Sequence, residues 1–186
     1  MSEPLAIEVV IVDIVDVEPR RASTVLDTAA RVVIGSRLAV YPTLVFIERE
    51  PSGRPIAEGV ALSLAHSGGL GAIAISDPGA RVGIDVERVR PRRYLDRIAT
   101  RIFDADELVA LAALDDAARL LAFLRRWTEV EAILKAQGTG IAGGFANAVP
   151  RPHGWSCEPI DCGPGFVGTV AADAPSMKVQ TRRLGN

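Results

Sequence analysis

Two acidic residues alternate in Val82-Gly83-Ile84-Asp85-Val86-Glu87. Side chains two apart on a strand share a face, so Asp85 and Glu87 project together while Ile84 and Val86 face a core. Paired carboxylates repel unless a cation or a proton sits between them. Mg²⁺ suits one or two carboxylates plus substrate phosphates, although a solvated strand face reads the same way. A second group lies in Trp127-Thr128-Glu129-Val130-Glu131-Ala132-Ile133-Leu134-Lys135. On a helix Trp127, Glu131 and Lys135 stack at i, i+4 and i+8. A surface ion pair would use the same spacing and contribute a few tenths of a kcal/mol. A carboxylate and an ammonium are also what metal-assisted phosphoryl transfer uses: one completes a metal site, the other holds a phosphate oxygen. The third group is Ala65-His66-Ser67-Gly68, in a glycine-rich corner, where His66 reads as a phosphate ligand, a base or a structural histidine.

These groups need elements to hold them. Residues 6–17 read as a strand and Arg20 to Val40 as a helix ended by Tyr41-Pro42. Thr43–Glu48, Val60–Ala65, Ala72–Ser76 and Arg81–Glu87 read as strands, with turns at 51–55 and 77–79. Helices are expected at Tyr94–Ile98, Asp104–Ala113 and Asp115–Gln137. Asp104 and Glu107 form a capping box, and Gly138 and Gly140 stop the long helix. The tail carries short strands near Trp155–Ile160, Phe166–Ala172 and Lys178–Thr181. This order predicts an α+β fold of two similar α/β lobes, without a residue-level repeat between the halves.

Composition narrows the function classes. The chain has 186 residues, with 21 Lys+Arg against 23 Asp+Glu and a net charge of −2. That balance excludes a broadly basic nucleic-acid binder at the level of whole-chain charge. Hydrophobic residues at 48% and charged residues at 24% are globular values. No apolar run approaches the roughly 20 residues of a membrane span. The beginning, MSEPLAIEVV, lacks a positive n-region and a small-residue cleavage site, so no signal peptide and a cytoplasmic protein are expected. Cys157 and Cys162 read as reduced thiols; with His153 they lack a fourth ligand for zinc. Only two lysines stand among 19 arginines, which singles out Lys135.

Taken in order, Gly53-Arg54-Pro55, Ala65-His66-Ser67-Gly68, Val82-Gly83-Ile84-Asp85-Val86-Glu87 and Trp127-Thr128-x-x-Glu131-Ala132-x-x-Lys135-x-x-Gly138-x-Gly140 resemble the 4′-phosphopantetheinyl transferase superfamily. The likeness is to its two-lobed, surfactin-synthetase-activating branch and is specific over residues 53 to 141. It implies two pseudo-twofold lobes framing one cleft: a shortened N-terminal lobe over 1–80 and a C-terminal lobe over 81–186, in one compact unit. It implies transfer of 4′-phosphopantetheine from coenzyme A to a serine of an acyl or peptidyl carrier protein, releasing 3′,5′-ADP and needing Mg²⁺. By position, Asp85, Glu87 and Glu131 would hold Mg²⁺, and Glu131 or a water it orients would take the serine proton. Lys135 would neutralise the pyrophosphate. Arg54, Pro55, His66, Ser67 and Lys135 would contact coenzyme A, with Arg54 and Pro55 at adenine and His66 at the 3′-phosphate. Arg20, Arg21 or Arg31 could add a phosphate contact. Arg88, Arg90, Arg92, Arg93, Arg97 and Arg101 would steer an acidic carrier, or simply form a solvated arginine-rich face. No nucleic acid or membrane partner is implied.

Three positions depart from the family pattern: Arg54 where lysine is frequent, Ala65 where serine is usual, and Val130 where lysine is common. They leave open a pseudo-transferase that binds coenzyme A or a carrier without turnover, or a repurposed member of a biosynthetic pathway. A separate reading takes Ala65-His66-Ser67-Gly68-Gly69 as a nucleophile elbow, with Ser67 attacking and His153 as base.

Overall fold

The computed structural model describes residues 3–15, 17–139 and 151–185. Its elements in chain order are β1 (Leu5–Asp13), α1 (Pro19–Leu38), β2 (Glu48–Arg49), β3 (Pro55–Ile56), β4 (Ala61–Ser67), β5 (Leu70–Ser76) and β6 (Val82–Arg88). There follow α2 (Leu95–Ile102), α3 (Ala105–Ala112), α4 (Asp116–Gln137), β7 (Ser156–Pro159), β8 (Phe166–Ala172) and β9 (Met177–Arg183). The α+β class is the one expected from the alternating and helical periodicities.

Two main sheets form, in the orders β4-β5-β1-β9 and β6-β8-β7. The cores fix how they stack. Val10, Val12, Leu62, Ile73 and Ile75 pack under Leu26, Ala30, Val33 and Ile34 of α1. The alternate residues Val9, Ile11, Ala72 and Ala74 pack against Val82, Ile84, Val86 and Val170 of the second sheet. Ala132 and Ile133 of α4 then cover Ala171 on that sheet's other side. The layers therefore run α1, sheet, sheet, α4, and every strand residue belongs to one of two opposed faces.

Several boundaries differ from expectation. Proline at 42 nucleates a 3-10 turn, Pro42–Leu44, in place of a strand over 43–48; pairing starts only at Glu48 and takes in Arg49. On α1 the buried stripe is Ala22, Leu26, Ala29, Ala30, Val33 and Ile34, while Val25, Val32 and Leu38 lie outside it. The helix α2 runs to Ile102, longer than the expected Tyr94–Ile98. The capping box forms: Glu107 N–H donates to Asp104 Oδ1 at 2.8 Å, and Asp104 N–H to Glu107 Oε2 at 2.9 Å. Gly138 ends α4 at φ 75°, where glycine carries no steric penalty. Gly140 lies outside the described residues.

The chain's last strand returns to its first. β9 pairs in parallel with β1, Leu5 opposite Met177 through Ile11 opposite Arg183. The sheet begun by the first half of the sequence thus takes its fourth strand from the tail.

Candidate active site

The site forms where the edge strands β4 and β6 lie beside each other and α4 covers β6. Val82, Ile84 and Val86 fill the inter-sheet core, so Gly83, Asp85 and Glu87 face the helix. Gly83 permits the close approach: a Cβ there would stand 1.9 Å from the Ala132 carbonyl oxygen. Ser63 Oγ accepts the Ile84 N–H at 3.1 Å, and Ser67 Oγ accepts the Arg88 N–H at 3.2 Å. These two hydroxyls join the sheet edges.

The stripe on α4 meets the acidic strand as its spacing requires. Lys135 Nζ donates to Asp85 Oδ1 at 2.8 Å and to the Ile84 carbonyl oxygen at 3.0 Å. Trp127 Nε1 donates to Glu87 Oε1 at 3.2 Å. Glu131, between them, is buried. Asp85 Oδ2 and Glu131 Oε1 are both buried without a hydrogen-bond partner among the described residues.

Burial pushes the Asp85 carboxyl up to about 6, against the opposing pull of Lys135. Burial, followed by the charge of Asp85, pushes Glu131 up to about 7. Both carboxyls therefore hold protons more tightly than free side chains, because burial disfavours their charged forms.

Glu87 has other company. Its Oε2 accepts from Ser67 Oγ at 2.7 Å and stands 2.5 Å from Arg92 Nη2, while Oε1 takes the Trp127 indole. Among the described residues no three His, Cys, Asp or Glu side chains are grouped to hold a metal ion. The donors present fit a cation at Asp85 and Glu131, each with one orphaned oxygen; Glu87 is already occupied.

A cavity of about 250 Å³ opens on this point, lined by Arg49, Arg54, Pro55, Ser63, Glu131 and Lys135 among others. The turn residues Arg54 and Pro55 are thus brought to Glu131 and Lys135. His66 is not. Strand β4 continues to Ser67, so His66 and Ser67 point to opposite faces. His66 is exposed on the α1 side, 3.2 Å from Ser23 Oγ. Arg20, Arg21 and Arg31 are exposed on that helix.

The nucleophile-elbow reading fails on structure. A strand, β5, follows Ser67 where an elbow needs a helix, and the Ser67 hydroxyl is engaged by Glu87 and Arg88. Two departures from the family pattern are packing positions. Val130 is fully buried with Phe123 and Leu124, and Ala65 is buried between the sheets. Cys157 and Cys162 are free thiols that burial pushes up to about 11 and about 12. Ser63 and Arg92 are site residues that the motifs do not announce. The signal for Ser63 is its hydroxyl at an alternate position of an apolar strand; Arg92, expected only as part of a carrier-facing basic run, instead reaches back to Glu87.

Comparison with known proteins agrees with the geometry. The family model of the 4′-phosphopantetheinyl transferase superfamily matches residues 81–172, from β6 through β8. The chain belongs to this superfamily. It is 36% identical over 131 residues to the 4′-phosphopantetheinyl transferase HetI of Nostoc sp., covering 67% of this chain and 55% of that protein. It is 34% identical over 119 residues to the 4′-phosphopantetheinyl transferase AcpT of Salmonella typhi, covering 64% and 60%. To the 4′-phosphopantetheinyl transferase psf-1 of Bacillus pumilus it is 31% identical over 124 residues, covering 65% and 52%. The chain thus spans a little over half the length of these transferase relatives. The transferase match begins one residue before the acidic strand and contains Asp85, Glu87, Glu131 and Lys135.

Proposed function

We propose that this protein transfers the 4′-phosphopantetheine arm of coenzyme A to a serine hydroxyl of an acyl or peptidyl carrier protein, with release of 3′,5′-ADP. The observation that carries the reading is the meeting of Arg54 and Pro55 with Glu131 and Lys135 around one cavity, beside Asp85. The nucleotide end of coenzyme A fits the Arg54–Pro55 side, and the pyrophosphate fits the side facing Lys135. Residues from both halves of the chain line this space, which supports two lobes framing one cleft, as in the surfactin-type branch.

Mg²⁺ belongs to this proposal, held by Asp85 and Glu131 through the oxygens that lack partners. When bound, the ion supplies positive charge to the pyrophosphate and steadies its departing oxygen. The chain's own residues do the rest. Lys135, anchored on the Ile84 carbonyl, keeps its ammonium at the mouth of the cavity and balances charge on the pyrophosphate and on the departing α-phosphate. Glu131, at the wall of the cavity, would accept the serine proton directly or through a water. The serine oxygen bonds to the β-phosphorus, the bond from that phosphorus to the bridging oxygen breaks, and 3′,5′-ADP leaves.

His66, on the far face of β4, suits the 3′-phosphate, which lies apart from the pyrophosphate. Ser67, whose hydroxyl donates to Glu87 Oε2, joins His66 in this reading as a contact to coenzyme A. The exposed arginines Arg88, Arg90, Arg93, Arg97 and Arg101 suit an acidic carrier surface. A cytoplasmic setting is part of the same reading; among the described residues no helix is long and apolar enough to cross a membrane.

The test is a mass shift on an apo-carrier protein incubated with coenzyme A and Mg²⁺. Transfer should fall by orders of magnitude in Asp85→Ala and in Glu131→Ala, and should stop in EDTA. Several carriers showing no shift, or activity persisting in EDTA, would overturn the proposal.

A further inference from the structure

The three carboxylates of the site are not equivalent. Asp85 presents a buried, unpartnered Oδ2 and Glu131 a buried, unpartnered Oε1. Neither oxygen of Glu87 is without a partner: Trp127 donates to Oε1, while Ser67 and Arg92 share Oε2. Of these partners only Arg92 carries a full positive charge. A carboxylate has about four lone-pair sites, so the indole and the hydroxyl leave room for a cation. A guanidinium on the same oxygen does not, because two positive groups there repel.

Lys135 plays a different part towards Asp85. It is tied to the Ile84 carbonyl as well as to Oδ1, so it stays in place and leaves Oδ2 open. Arg92 has no such anchor. It lies in the loop between β6 and α2 and reaches back five residues to Glu87. Its Nε and Nη2 are buried without an aligned hydrogen bond among the described residues, so the contact is an ion pair only. Removing the guanidinium would take the competing positive charge off Glu87 Oε2 while Ser67 and Trp127 still orient the side chain.

We propose that Arg92 is a displaceable counter-ion: it holds Glu87 out of the Asp85–Glu131 pair, and Glu87 joins a divalent cation there only when Arg92 lets go. Arg92 is then a positioning residue that acts through Glu87. The inference rests on the proposed cation site. It adds that metal affinity is set against an internal ion pair, so that the free protein binds Mg²⁺ more weakly than its three carboxylates would allow.

The experiment is a Mg²⁺ titration of the whole protein without coenzyme A, followed by calorimetry and by tryptophan fluorescence in a Trp155→Phe background. The chain has two tryptophans, and the remaining one, Trp127, touches Glu87. Arg92→Gln should bind Mg²⁺ about three- to tenfold more tightly than the parent, and Arg92→Lys should return towards parental affinity. Arg93→Gln removes the same charge from a side chain placed over the Tyr94 ring, and its affinity should stay within about twofold. In a Glu87→Gln background, Arg92→Gln should have no effect. Equal or weaker affinity in Arg92→Gln, or equal tightening in Arg93→Gln, overturns the counter-ion while leaving the cation site standing. A parent protein that binds no Mg²⁺ overturns both.

Discussion

Lys135 on α4 and Asp85 on β6 are joined at 2.8 Å, fifty residues apart in sequence, and the same ammonium caps the Ile84 carbonyl. One side chain therefore fastens helix to sheet and charge to charge. Lys135→Ala should strip the partner from a buried carboxylate and cost roughly 1–3 kcal/mol, discounted from a fully buried pair because Lys135 is partly exposed. Denaturant unfolding measures this loss. In transfer assays the same variant should lower turnover more than coenzyme A affinity; a change in affinity alone would contradict the role assigned to the ammonium.

The raised carboxyls set a pH dependence. Asp85 titrates near 6 and Glu131 near 7 when folded, against 3.8 and 4.5 for the free side chains. The folded state therefore binds more protons between about pH 4 and 7, and stability must fall as pH rises through that window. Thermal midpoints in EDTA across pH 4–8 should show the decline. Mg²⁺ should flatten it by replacing the protons. A midpoint rising steadily to neutral pH in EDTA would contradict the placement of these two groups.

Gly83→Ala should damage fold and site together. The added methyl would meet the Ala132 carbonyl oxygen at 1.9 Å and the Ala136 nitrogen at 2.6 Å, both backbone atoms that cannot turn aside. Lifting α4 should cost about 3 kcal/mol or more and withdraw Glu131 and Lys135 from Asp85. Unfolding curves and the transfer assay should report the two losses in the same variant.

Ser67→Ala removes one hydrogen bond to Glu87 and one acceptor for Arg88. Transfer should drop only about two- to tenfold, since Asp85, Glu131 and Lys135 are untouched. Complete loss of activity, with Glu131→Ala remaining active, would restore the reading of Ser67 as a nucleophile.

Arg54→Ala should act on binding. Arg54 lines the cavity opposite Lys135, and its Nε is buried without a partner among the described residues. The KM for coenzyme A should rise about tenfold with kcat changed less than about twofold. Steady-state kinetics at saturating carrier would separate the two.

The acidic strand and the α4 stripe were legible because periods of 2 and 3.6 fix which side chains share a face. Asp85, Glu87, Glu131 and Lys135 follow from that alternation, and the turn at Arg54 from its glycine and proline. His66 illustrates the limit. Ending its strand at Ala65 leaves His66 and Ser67 together in a corner; two further residues of pairing with β5 send them to opposite faces. Arg92 was legible only as charge in a basic run, because a loop has no period to aim its side chain. The strand expected over 43–48 gives way to a short one at Glu48–Arg49, because the apolar run Val45-Phe46-Ile47 finds no partner strand among the described residues.

The pairing of β1 with β9 governs the protein's birth. A growing polypeptide reaches Leu5 first, yet the neighbour of that strand is made only with residues 177–183. Until then β1 offers one bare hydrogen-bonding margin to anything nearby, and so long a loop must close late and slowly. Variants that weaken β9 should thus be lost to aggregation before they are lost to poor chemistry.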